Sequence, residues 1–395
     1  MNGLLATIAL VGATVLTGAD APIDGATVVI DGNRIVAVGV GVAVPAGAQV
    51  IDVTGSTITP GLIDAVSRLG VDEVSLEPTA VEGTLSNGDP VRAALRVLDG
   101  FDPGSFVIPV ARSGGLTSAV VVPEGGVISG QSIFVDLVQH QPVRRESLAL
   151  HINLTGRNER GGRSAAFLRL REVLEDARLY RANRGPYITR KLRELSVSAL
   201  DLGVLERALE RELPVAIEVD RAPDILSALA IVREHRLNAV LIGVGEGWAV
   251  AEEIARAGVP VLVDPLSNLP SSFNQLRARR DNAARLHAAG VTVGLTLRGD
   301  AHRANRLRYA AGNAVAEGLP YSAAIAAITR VPAEIFGVSD TGTVRVGALA
   351  NLVVWNGDPL EVGTWATRLF IRGQEVPLRS RQDLLTERYS GEARN

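Results

Sequence analysis

Cysteine is absent from the chain. That excludes disulfides, thiolate nucleophiles and Cys-based zinc or iron–sulfur sites. Aromatic residues make up only 4%, and acids and bases are interspersed about a net charge of −3 with no basic stripe. Both features argue against nucleic acid as a partner. No apolar run is long enough to span a membrane. The start, Met1 to Gly18, lacks the positive n-region and small-residue cleavage site of a signal peptide. Its pattern reads as a strand followed by a turn. The expected location is cytoplasmic as the chain stands, and periplasmic if a native export signal was removed. Histidine is also scarce, with five in all.

What is present suits a large core. Hydrophobic residues make up 47% of the 395 residues and charged residues 21%. A barrel enzyme with a small accessory domain fits that length. Both ends are rich in strand patterns. Near the start, Gly25 to Ile30 leads through Asp31-Gly32, a hairpin signal, into Arg34 to Val38. Near the end, Asn351 to Trp355 precedes Arg368 to Gly373. A composite β-sandwich from residues 1–58 and 340–395 is the simplest way to pair them.

Between these ends, short apolar runs alternate with helical periodicity. The runs lie at 57–64, 118–122, 132–135, 148–151, 214–218, 239–243, 260–264 and 291–296. Helices are predicted at 222–235, 247–257 and 282–289. Strand, helix, strand at this spacing implies parallel strands with right-handed crossovers. The expectation is an α/β fold, a (β/α)₈ TIM-like barrel over residues 59–339, with a doubly wound open sheet as the alternative. A long connection at 156–201, holding a helix from Ser164 to Asn183, is expected at the barrel mouth.

Pro60-Gly61-Leu62-Ile63-Asp64 resembles the signature that opens the barrel in amidohydrolase-superfamily proteins, nearest the imidazolonepropionase-like and dipeptidase-like branch. Gly347-Ala348-Leu349-Ala350-Asn351-Leu352-Val353-Val354-Trp355 resembles that superfamily's return to the sheet domain. The resemblance covers essentially the whole chain. It implies hydrolysis of a C–N bond, amide or cyclic amide, in a small or peptide-like substrate at a metal centre. It also places metal-binding His-x-His at positions held here by Val66, Ser67 and Arg68. Strand five ends in Glu218-Val219-Asp220-Arg221, strand six in Gly243-Val244-Gly245-Glu246, and strand eight in Leu297-Arg298-Gly299-Asp300. The usual ligand histidines are missing, so the reading is no metal site and no bound cofactor, with zinc or another divalent ion as the alternative.

The candidate catalytic residues are Glu218, Asp300 and Arg68. The candidate substrate-binding residues are Arg221, Arg298, His151, Gln131, Asp220 and His302. Arg68 is read as a cation in the place of a lost metal, paired with Glu218 or Asp300. Metal-free hydrolysis would use Glu218 or Asp300 as general base and an Arg to stabilise the oxyanion. The competing reading is an inactive homologue that binds a ligand or pairs with an active amidohydrolase. The resemblance allows for a homo-oligomer. His140, His235 and His287 read as solvated surface residues. Gly243 to Gly247 invites a phosphate-loop reading, but it lacks the Walker lysine.

Overall fold

The computed structural model describes residues 7–85, 90–157, 161–189, 191–267, 269–298 and 301–390. Strands from both termini form one eight-stranded sheet. Strand Ile8–Val15 lies between Ile23–Asp31 on one side and Gln49–Asp52 and Thr57–Pro60 on the other. Leu352–Trp355 then pairs antiparallel with Thr57–Pro60 and with Ala366–Ile371. The sheet buries Leu10, Val28, Ile30, Ile58, Leu352 and Phe370 in its own core. Ladders connect all eight strands, with Gln49–Asp52 branching off Ile8–Val15.

The middle of the chain is a TIM-barrel-like α/β fold. Leu150–Asn153, Val215–Val219, Ala239–Gly243, Val261–Val263 and Val293–Leu295 pair in parallel, in that order. Leu62–Ser67 and Leu116–Val121 form a second parallel pair. Two departures from the expected (β/α)₈ barrel stand out. The chain over Ile128–Gln131 and Ile133–Asp136 runs antiparallel to both of its neighbours. Its connection from Leu116–Val121 is too short to carry a crossover helix, so it must turn back as a hairpin. The ring is also not closed by a strand ladder. Among the described residues, Val293–Leu295 and Leu62–Ser67 fall in different sheets. They are joined instead through Asp64, which accepts from Thr296 Oγ1 at 2.7 Å and from the backbone of Leu297.

Strand alternation decides which side chains meet the barrel interior. Val215, Ile217 and Val219 pack outward against the helices. Ala216 and Glu218 face inward. The inner layers are filled by Ile63, Val120, Phe134, Val240 and Leu262, so only the strand C-termini leave room for polar groups. Helices Ala222–His235, Ala251–Ala257 and Asn282–Ala288 cover the outside. Helix Gly162–Ala182 joins that outer layer, burying Phe167, Leu170, Val173 and Leu174. Its start reaches the mouth, where Arg163 Nη1 donates to Asn274 Oδ1 at 2.8 Å. His235, expected on the surface, is 4% exposed. It closes the buried face of Ala222–His235.

The terminal sheet is pinned to the barrel in two places. The Trp355 indole is fully buried and donates through Nε1 to Thr59 Oγ1 at 2.9 Å. It lies flush on Gly115, where a Cβ would stand 2.4 Å from the ring. Buried Asp136 accepts from Arg372 Nε at 2.6 Å, from Ser118 Oγ at 2.8 Å and from Asn351 Nδ2 at 3.3 Å. Asn351 thus joins the sheet to the barrel by hydrogen bonds.

Candidate functional site

A cavity of about 470 Å³ opens at the C-terminal strand ends. Its walls include Val66, Val122, Ala216 and Ile242, and its polar groups include Arg68, Glu124, His151, Asn153, Glu218 and Arg298. This is where barrel enzymes place their chemistry. A larger groove of about 790 Å³ is lined by Tyr187, Ile188 and residues 192–198. Its Arg193 is held at 2.5 Å by Asp176, and it lies away from the strand ends.

Glu218 and Arg298 form the centre of the mouth. Arg298 Nη1 donates to Glu218 Oε1 at 2.9 Å, and Nη2 donates to Asp220 Oδ1 at 3.4 Å. Asn153 Nδ2 holds the other oxygen of Glu218 at 2.7 Å. Burial raises the carboxyl of Glu218 above the ordinary carboxylate range, against the pull of Arg298. Burial likewise raises Asp264, at the end of the strand beside Val293–Leu295, with Arg298 again opposing. Burial works against the charge of Arg298 itself, but Asp220, Glu218 and Asp264 outweigh it.

Asp220 is also a structural acceptor. It takes the amide of Gly245 at 3.2 Å through its side chain and that of Glu246 at 2.8 Å through its carbonyl. The Gly243 to Gly247 loop therefore spends its amides inside the fold, which removes the phosphate-loop reading. Gly243 has φ +91°, and a Cβ there would lie 2.6 Å from both Arg298 Nη1 and Asp220 Oδ1. Glycine is what lets the guanidinium approach this strand. Gly243→Ala is expected to cost about 1–3 kcal/mol, through strain and displacement of the ion pair. Urea unfolding reads this directly, and a variant as stable as the parent would contradict the packing described.

His151 points inward opposite Ala216 on the neighbouring strand. It is 6% exposed, and its Nε2 has no partner. Burial pushes its pKa down to about 3, so the imidazole is neutral at ordinary pH.

The structure corrects the reading of Arg68. Its guanidinium does not pair with Glu218. Nη2 donates to the Glu82 carbonyl at 2.6 Å and to Thr84 Oγ1 at 2.8 Å, and Nη1 donates to the Val122 carbonyl at 3.0 Å. A long side chain at the end of the first strand meets the unpaired carbonyls of the next loops before it can cross the barrel. Arg298, read only as a binding residue, makes the pair instead.

Gln131, His302 and Arg221, like Asp220, do not line the cavity. Gln131 is buried, donating to the Ala93 carbonyl at 3.1 Å and accepting from Ser147 at 2.6 Å. His302 is exposed, with Nε2 at 2.7 Å from the Glu73 carbonyl. Arg221 immediately precedes Ala222–His235, makes no capping side-chain bond, and lies 3.9 Å from Asp224. Asp300 lies outside the described residues. Asn153 and Asp264 were missed. Asn153 stands two residues after His151, so strand alternation alone put it on the same face.

The donor set was tested against the metal centre that the resemblance implies. Among the described residues, no group of three or more His, Asp or Glu side chains is arranged to hold a metal ion. The chemistry of the mouth agrees. Both oxygens of Glu218 are occupied, and the guanidinium of Arg298, a permanent cation, stands 2.9 Å from it. The described residues do not fit such a centre.

Three comparisons bear on ancestry. The amidohydrolase family model matches residues 227–376. Amidohydrolase tasK of Hapsidospora irregularis is 23% identical over 372 residues, covering 84% of this chain. The chain spans only 37% of the length of that relative. A solved amidohydrolase from Thermotoga maritima MSB8 superposes with a TM-score of 0.86 at 26% identity, over 94% of this chain and 100% of that one. A prolidase complexed with N-methylphosphonate-L-proline superposes with a TM-score of 0.58 at 19% identity, over 94% and 99% of the two chains, which speaks to the fold alone. With its family-model match over residues 227–376, its barrel-like middle and its near-complete overlap with the Thermotoga structure, the chain is similar to the amidohydrolases.

Proposed function

We propose that the barrel mouth hydrolyses a C–N bond, amide or cyclic amide, in a small or peptide-like substrate. The observation that carries this reading is the Glu218–Arg298 pair on the wall of the 470 Å³ cavity. A carboxylate raised by burial is a better proton acceptor than an exposed one. Glu218 takes the proton from a water molecule as that water attacks the substrate carbonyl. Arg298 supplies N–H groups toward the oxyanion that develops, and the protonated Glu218 then returns its proton to the leaving nitrogen. Asn153 holds Glu218 in place. His151 offers a neutral imidazole nitrogen to the substrate. No step passes through a metal ion.

The test is release of amine from a panel of dipeptides, N-acyl amino acids and cyclic amides by the full chain in the presence of chelator. Glu218→Gln is expected to lower turnover by about 10²–10⁴-fold. Amine release by Glu218→Gln at the parental rate, or none by the folded parent on any member of the panel, would overturn the proposal.

A further inference from the structure

We infer that the guanidinium of Arg298 is a built-in cation standing in the place of the superfamily's metal ion. The inference goes beyond the C–N hydrolysis reading and does not depend on it. It rests on convergence. Three acidic residues from two strand ends, Glu218, Asp220 and Asp264, act electrostatically on this one guanidinium. Its side chain is 17% exposed, while that of Asp220 is 4% exposed. A carboxylate as buried as Asp220 needs a counter-charge held beside it, and the half-buried Glu218 and Asp264 share the same one. Arg298 meets that need from the eighth strand end, where the superfamily resemblance places an acid.

The surroundings are shaped to this occupant. Gly243 leaves out the Cβ that would strike Nη1 at 2.6 Å. Asn153 turns its amide to the Glu218 oxygen that Arg298 does not use. Val66, on the first strand, lines the cavity without a ligating atom. Arg68 is drawn off to carbonyls at 2.6 and 3.0 Å. One difference from a metal follows from the chemistry of guanidinium. It donates hydrogen bonds in a fixed plane and cannot make a nucleophile of bound water. The site is therefore suited to orient and neutralise carboxylate or oxyanion oxygens.

The experiment is zinc retention with a stability readout. The full chain, Arg298→Gln and Arg298→Ala are each incubated with zinc chloride, desalted and measured by elemental analysis, with thermal unfolding followed in parallel. The parent is expected to keep less than about one tenth of an equivalent, with no zinc-dependent rise in unfolding temperature. Removing the guanidinium frees the Glu218 and Asp220 oxygens it occupies, and these side chains can then shift to share an ion that their present arrangement does not hold. Each variant is expected to keep at least about tenfold more zinc and to be stabilised by it. Near-stoichiometric zinc in the parent would overturn the inference, as would a folded variant that keeps no more zinc than the parent. If both variants fail to fold, the parent's own zinc content decides. Loss or survival of amide hydrolysis does not enter this measurement, so the two proposals fail separately.

Discussion

Asp64→Asn stabilises the protein progressively as pH rises, by about 4 kcal/mol more at pH 8 than at pH 4. Asp64 is 1% exposed, and burial lifts its pKa from 3.8 to about 7, against the hydrogen bonds of Thr296, Val66 and Leu297 that favour its charge. The folded chain therefore keeps a proton that the unfolded chain has already released. The stabilisation is complete below pH 3.8 and is lost as pH rises through about 7. Three pH units of difference correspond to about 4 kcal/mol, as an upper figure for a fully buried group. Asn keeps an oxygen for Thr296 and never ionises. Denaturant melts of parent and variant across the range read the gap directly. A gap that does not change with pH would show that Asp64 is ionised in the fold. The same carboxylate is the described link between the first and last barrel strands, so the barrel is expected to loosen there first in alkali.

Removing Arg298 has the other large effect. In Arg298→Ala, Glu218 loses a donor at 2.9 Å and Asp220 one at 3.4 Å. Truncating one partner of a buried charge set costs about 3–5 kcal/mol, because the remaining charges stay buried. The sign with pH is opposite to that of an ordinary surface acid. Lowering the pH protonates Glu218, whose carboxyl burial already raises, and relieves the variant, so its deficit shrinks in acid. Adding Glu218→Gln recovers part of the loss, since the two positions share one interaction. Urea midpoints for the single and double variants test this. A loss in Arg298→Ala below about 1 kcal/mol would mean that the pair is screened by water and contributes as a surface bridge does.

That the first strand end carries Val66, Ser67 and Arg68 was legible in the sequence, because residue type does not depend on folding. Glu218 was legible too, since it ends a β-branched run whose alternation turns it inward with Ala216. The same rule, carried two residues past His151, would have found Asn153. The partner of Glu218 was not legible. Arg68 and Arg298 are the same chemical group, both at strand ends, and composition cannot say which one crosses the barrel. Gln131 and His302 were misplaced for a related reason: a polar residue near a strand end serves the fold or the cavity according to which neighbour it meets.

Sequence by itself determined the likeness to amidohydrolases, the strand-and-helix alternation of the middle and the β-rich ends. These depend on local pattern and residue type, which survive without long-range contacts. Tertiary structure decided the antiparallel course of 128–136, the open ladder bridged by Thr296 and Asp64, and the pairing of Arg298 with Glu218 and Asp220. Each of these joins residues far apart in the chain. Electrostatics in a buried site depend on distance and solvent exclusion, and neither quantity exists until the strands close around the mouth.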